Sequence, residues 1–124
     1  MNTRCFVAAK LHGIVATDKS VAYHGSVSIG RDLMRASGIL DHEQVHVINL
    51  TNGKRWVTYA LPTDPGAFTL NGGGARLGEV GDTFVVLTYR WSARMEKARV
   101  VFCSSGYDRE KRIINRIRER LTYG

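Results

Sequence analysis

The dipeptide Asn52-Gly53 constrains this chain more than any other pair of neighbours. Asn and Gly tolerate the positive φ angles of a tight hairpin. Here they stand between residues 43–50 and 55–61, two runs rich in Val, Ile, Tyr and Trp. The pattern predicts two antiparallel strands, with Arg55, Val57, Tyr59 and Leu61 on one face of the second and Thr58 on the other. A lone hairpin is marginal in water, so this one demands further strands to pack with.

The rest of the chain offers them. Residues 4–16, 21–29, 68–70, 83–89 and 97–103 read as strands, separated by turn signals at 17–20, 62–66 and 77–82. Residues 31–37 predict a short helix, with Gly38 closing it at C′. Many short strands with few helical turns predict a small all-β barrel. Residues 108–121 place Ile113, Ile114, Ile117 and Leu121 on one helical stripe ringed by arginines, which predicts a basic amphipathic C-terminal helix. No linker, repeat or low-complexity tract divides the chain. The expectation is one domain over residues 1–124, with a barrel core to about residue 103 and a helical tail over about 104–124.

Charge narrows the function classes. Of 18 Lys and Arg, ten fall in residues 90–124 with four Asp and Glu, so the net +7 belongs to the tail and the body is nearly neutral. A basic tail on a neutral body argues for nucleic acid much less than a basic domain does. No apolar run approaches the ~20 residues of a membrane span, and the N-terminal apolar stretch is broken by Lys10 and His12, unlike a signal peptide. A cytoplasmic protein is expected. Cys5 and Cys103 leave one disulfide pairing open, but a reducing compartment favours two free, buried thiols. No cysteine or histidine spacing suits a metal, and His24, His42 and His46 are expected at the surface.

The chemistry-bearing residues are individually plain. Gly25 permits unusual backbone angles, and Ser26 carries a hydroxyl that is a weak nucleophile until activated. Lys10 and His12 point to the same side of a strand. Arg55 suits bidentate carboxylate binding and lies on the face of Tyr59. Asn71-Gly72-Gly73-Gly74-Ala75 is a stretch of nearly bare backbone. Each has a bland reading: a turn, a solvated face, a flexible loop.

Together and in order they carry more. Lys10-Leu11-His12, Tyr23-x-Gly25-Ser26, Gly38-Ile39-Leu40, Thr51-Asn52-Gly53-Lys54-Arg55, Thr58-Tyr59, Asn71-Gly72 and Val80-Gly81-Asp82 resemble the pyruvoyl-dependent aspartate 1-decarboxylases over about residues 4–89. The resemblance implies a double-psi β-barrel, assembled as a homotetramer with active sites between subunits. It also implies self-cleavage between Gly25 and Ser26, giving chains 1–25 and 26–124, the second starting with a pyruvoyl group made from Ser26. That group is the implied cofactor and Schiff-base site, in place of pyridoxal phosphate or a metal. By the same resemblance Thr58 supports cleavage, and Tyr23 and Asn71 lie close to the bond. Tyr59 is the implied proton donor, Arg55 binds the substrate carboxylate, and Lys10, His12, Gly73, Gly74 and Ala75 line the pocket. The implied activity converts L-aspartate to β-alanine and CO₂ for pantothenate synthesis, with room for a maturation partner protein.

The chain departs from the family pattern at His24 before the scissile bond, at Gly73 and Gly74 where alanines are usual, at Ile48 where some relatives carry tryptophan, and throughout the tail after Tyr89. These departures bear on the substrate more than on the chemistry. The alternatives are a related acidic amino acid, such as glutamate or a sulfur analogue, or a non-catalytic β-barrel binding module with a basic tail.

Overall fold

The computed structural model describes residues 2–21 and 25–123. Its strands are β1 (Arg4–Val15), β2 (Asp18–Ser20), β3 (Val27–Gly30), β4 (Gln44–Asn49), β5 (Arg55–Thr63), β6 (Phe68–Asn71), β7 (Thr83–Ser92), β8 (Ala98–Tyr107) and β9 (Ile113–Tyr123). One α-helix, α1 (Arg31–Ser37), and one 3₁₀ helix (Gly72–Leu77) complete the order. The nine strands join in the sequence β2-β6-β3-β5-β4-β7-β1-β8-β9. The sheet is mixed: β1 runs parallel to β8, β3 to β5 and β2 to β6, and the other pairs are antiparallel. This is an all-β barrel fold, its inner side filled by Leu11, Ile14, Ile29, Leu33, Phe68, Leu70 and Phe84, none with any exposed surface. Burying each such side chain is worth roughly 1.5–3 kcal/mol against leaving it in water, and Phe68 meets Phe84 edge to face at 5.3 Å.

The predicted hairpin forms, with Ile48 opposite Arg55 and Gln44 opposite Tyr59. Its loop is held by the buried Asn49, whose Oδ1 accepts from Thr51 N at 2.8 Å, and Gly53 takes φ 79°. The predicted helix also forms: Gly38 has φ 82° and donates its N–H to Met34 O. In β1 a bulge falls between His12 and Ile14. At that bulge Gly13 has φ 84°, and a Cβ there would meet Cys103 O at 3.0 Å. The extra residue shifts the alternation by one, so His12 faces outward and Ile14 still returns to the core.

Several expectations are corrected. The C-terminal helix is strand β9, paired with β8 from Tyr107↔Ile113 to Ala98↔Tyr123. The helical stripe rests on four apolar residues and takes no account of Asn115. In the fold Asn115 is 1% exposed, and it is the anchor of the strand. Its Oδ1 accepts from Val15 N at 2.8 Å, and its Nδ2 donates to Val15 O at 2.8 Å and Gly66 O at 3.1 Å. β-Branched Ile113, Ile114 and Ile117 suit the strand, and the basic tail is therefore part of the sheet rather than an appendage to it. Residues 18–20 form a short strand rather than only a turn, β5 runs through Pro62 to Thr63, and the glycine-rich loop coils into a 3₁₀ helix. Pro62 is tolerated because it lies near the end of β5, in register with Ile29 of a parallel neighbour. β3 starts only at Val27, with Gly25 in a bend before it. Cys103 is buried as expected, but Cys5 is exposed; both are free thiols.

Candidate active site

The Gly25–Ser26 bond lies where β3 enters the sheet between β6 and β5. Antiparallel pairing sets Val27 against Leu70, and the Asn71 N–H donates to Ser26 O at 3.0 Å. The Asn71 side chain is buried and bridges two hydroxyls: its Nδ2 donates to Ser26 Oγ at 3.0 Å and to Ser28 Oγ at 2.9 Å. From the other side Thr58 Oγ1 donates to Gly25 O at 3.3 Å. The two residues differ sharply in setting. Ser26 is 2% exposed, whereas Gly25 is exposed, and among the described residues none but its chain neighbours comes within 4 Å of the place a Cβ would occupy.

These contacts follow from strand alternation. Trp56, Thr58 and Ala60 turn toward the interior of β5, while Arg55, Val57 and Tyr59 turn outward. Thr58 can therefore reach β3 while its neighbour Tyr59 cannot follow it. A donor on the Gly25 carbonyl and an amide holding the Ser26 hydroxyl are the two groups that an acyl shift across this bond needs: one polarises the electrophile and the other orients the nucleophile. Tyr23, expected beside the bond, lies outside the described residues, as does His24.

Arg55, Tyr59, Lys10 and His12 occupy the outer face of the sheet. One cross-strand row runs Arg55, Ile48, Val85, His12, and the next runs Val57, His46, Leu87, Lys10. Lys10 and His12 are neighbours on β1, and Arg55 and Tyr59 are neighbours on β5, but β4 and β7 separate the two pairs. At about 4.8 Å per strand, Arg55 and His12 are roughly 14 Å apart along the row. Arg55 is exposed, and Tyr59 and Lys10 are half-buried. One chain thus brings Gly25, Ser26, Thr58 and Asn71 of the expected cleavage residues together but leaves the expected substrate residues in two pairs.

The glycine segment divides likewise. Gly73 is open to solvent, Gly74 packs against Trp56, where a Cβ would meet Nε1 at 2.9 Å, and Ala75 lies in the hydrophobic core. The Ala75 methyl is a core contact, so only backbone there remains for a ligand.

Three residues near these groups escaped the reading of the sequence. Ser28 shares Asn71 with Ser26, and its position two residues on along an alternating strand was the available signal. His42 is exposed as expected, but its ring stacks parallel on Tyr59 at 5.7 Å and 14°, and it holds φ 66°. Phe102 lies 5.5 Å from the His12 ring. Nothing local in the sequence points to the last two, because strand pairing makes them neighbours.

Electrostatically, burial lowers the pKa of His12 from the usual imidazole range, and the positive charges of Lys10 and Arg118 lower it further. The ring is therefore neutral at pH 7. Burial pushes the Cys103 thiol up to about 11, with Asp32 adding to it, which leaves that thiol inert. Among the described residues no group of three or more His, Cys, Asp or Glu could hold a metal ion, and no helix is long and apolar enough to cross a membrane.

Comparison with known proteins places this geometry. The family model described as Aspartate decarboxylase matches residues 1–109. The aspartate 1-decarboxylase of Pyrobaculum islandicum is 51% identical over 81 residues, 65% of this chain and 68% of that protein. That of Acaryochloris marina is 42% identical over 117 residues, 90% of this chain and 86% of that protein. That of Maricaulis maris is 47% identical over 91 residues, 72% and 73% of the two chains.

Proposed function

This chain belongs to the aspartate decarboxylase family, and from that premise we propose that it cleaves itself between Gly25 and Ser26 and then decarboxylates L-aspartate to β-alanine. The observation that carries the reading is the two-sided grip on one peptide bond, Thr58 on the Gly25 carbonyl and Asn71 on the Ser26 hydroxyl. In the cleavage Ser26 Oγ attacks the Gly25 carbonyl carbon, and the peptide C–N bond gives way to an ester. Loss of the Ser26 α-proton then expels the Gly25 carboxylate and leaves a dehydroalanine at position 26. Addition of water and release of ammonia convert that residue to a terminal ketone. Thr58 stabilises the oxyanion of the first step. The exposed, uncrowded Gly25 leaves room for the acyl carbon to become tetrahedral.

The residues fit a pyruvoyl group at position 26, since the position is buried and bordered by the Asn71 amide, a donor suited to a carbonyl. Such a group takes up the electrons released when CO₂ leaves, the task pyridoxal phosphate performs elsewhere. Arg55 binds the distal carboxylate of the substrate in a bidentate fork. Tyr59 delivers the proton that replaces CO₂, its ring held by the stacked His42. Lys10 and His12 line the opposite wall, with the backbone of Gly73, Gly74 and Ala75 nearby.

Because two strands lie between the Arg55–Tyr59 and Lys10–His12 pairs on an outer face, the reading includes a homotetramer in which neighbouring subunits bring complementary pairs together. The chain acts as a single domain, β9 included. The product class suits supply of β-alanine to pantothenate synthesis in the cytoplasm, and on this reading a maturation partner would act only on the rate of cleavage. The test is the intact mass of the denatured, reduced protein alongside aspartate turnover without added pyridoxal phosphate. Chains 1–25 and 26–124, the latter one ammonia lighter than hydrolysis gives, together with turnover, are expected. A full-length mass that persists on warm incubation, with no CO₂ release, overturns the reading.

A further inference from the structure

The family pattern ends at residue 109, yet the chain continues into β9, and β9 reaches the wall that carries His12. Registers Phe102↔Glu119 and Cys103↔Ile117 leave Arg118 as the extra residue of a bulge. A bulge bends its strand and re-aims its side chains. The Arg118 guanidinium accordingly lies over the Phe102 ring, 5.6 Å from its centroid. Phe102 is paired with His12 across the parallel β1–β8 ladder, and the two rings meet at 5.5 Å and 58°. His12 Nδ1 is buried, with no hydrogen-bond partner among the described residues. Nδ1 thus gives the imidazole no anchor among the described residues, and the contact the structure shows for the ring is Phe102.

We propose that the β8–β9 hairpin is a second wall of the active site, in which Phe102 fixes the His12 imidazole and Arg118, folded over Phe102, is a positioning residue acting on His12 through that ring. This rests on the proposed function only in taking His12 as a lining residue of the substrate site.

The charges around His12 decide what the wall does. Lys10 faces it from β1 and Arg118 from β9, Val85 of β7 and Phe102 of β8 carry none, and Glu119 stands in register with Phe102. Two cations outnumber one exposed carboxylate, so the wall disfavours the imidazolium, and loss of either cation eases protonation. Burial is the largest cause of that preference and Lys10 the next, and Arg118 of β9 adds to both. A cation stacked on an aromatic face is a favourable contact even at an exposed site, and it biases Arg118 toward this position.

The experiment uses the processed, full-length protein. The His12 resonances, assigned by their absence in His12→Gln, are titrated by NMR in the parent, Arg118→Gln, Arg118→Lys and Phe102→Leu proteins, and kcat/KM for aspartate is measured across the same pH range. Arg118→Gln is expected to raise the His12 midpoint by about half a pH unit, the scale of one charge acting through partly solvated surroundings. The acid limb of kcat/KM is expected to move with it. Arg118→Lys keeps the charge and leaves both in place, while Phe102→Leu broadens the ring environment and lowers kcat more than it raises KM. Arg118 is exposed, so its variants fold, and their processing by mass confirms this. An unmoved midpoint in Arg118→Gln, or an equal shift in Arg118→Lys, overturns the proposal. So does a midpoint that moves while the rate profile stays put. If the parent protein turns over no acidic amino acid, the functional reading fails separately, and the NMR titration still decides whether Arg118 acts on His12.

Discussion

The cleavage junction and the outer sheet face carry the two halves of one proposed reaction sequence, and they are built differently. At the junction, β3, β5 and β6 bring Gly25, Ser26, Thr58 and Asn71 of a single chain within hydrogen-bonding distance of one another. On the outer face, two strands separate Arg55 and Tyr59 from Lys10 and His12. A peptide bond that must be distorted and attacked benefits from groups fixed on both sides of it, here with Ser26 buried and Gly25 left open. A substrate must enter and leave, so its binding groups lie on a surface. On the proposed function, the contrast points to maturation within the folded chain and to turnover across surfaces of more than one chain.

Mutation can separate the halves. Ser26→Ala should have the largest effect, abolishing both cleavage and turnover and leaving a single full-length species by mass spectrometry. Next, Tyr59→Phe and Arg55→Ala should process normally yet turn over aspartate about 10²–10⁴-fold more slowly, with the Arg55 loss appearing mainly in KM. If either variant failed to process, the division between the two regions would be wrong. Thr58→Val removes the donor on the Gly25 carbonyl while keeping side-chain volume. It should slow cleavage about 10²–10³-fold, measured as the half-time of chain conversion, and leave the processed fraction near parent kcat.

A smaller effect tests the wall itself. Asn115→Ala leaves the Val15 N–H and two buried carbonyls without their side-chain partner, and should cost about 2–4 kcal/mol in urea unfolding. If β9 were a loose helix on the surface, the same change would cost almost nothing. The smallest effect concerns pH. Because the folded pKa of His12 lies below its ordinary 6.5, the unfolded chain takes up that proton first. The His12 contribution to stability is therefore full above pH 6.5 and falls away as pH drops through the lower folded value. His12→Gln should flatten that part of the stability–pH curve.

The tail shows how reading from sequence went astray. Ile113, Ile114, Ile117 and Leu121 satisfy a helical spacing, and the arginines between them look like a solvated helix face. What selects the strand is Asn115, one polar residue whose side chain completes the backbone hydrogen bonding of Val15 and Gly66, 100 and 49 positions away. No local pattern encodes a bond of that range. The glycine segment carried a similar ambiguity: its composition reads as bare backbone, but Trp56 and the core decide that Gly74 must be small and that Ala75 points inward.

What the chain order alone determined is the hairpin at Asn52-Gly53, the helix closed by Gly38, most of the strands, and the sets Gly25-Ser26, Arg55 with Tyr59 and Lys10 with His12. These depend on turn chemistry and on a two-residue period, and both are local. Only the tertiary structure decided which set meets which. Thr58 and Asn71 reach one bond, His42 stacks on Tyr59, and β9 carries Arg118 over Phe102 beside His12. The reason is physical: strand order and register are set by burial of the whole core, and a bulge at Gly13 or Arg118 re-aims side chains in a way that shows only once the neighbouring strand is in place.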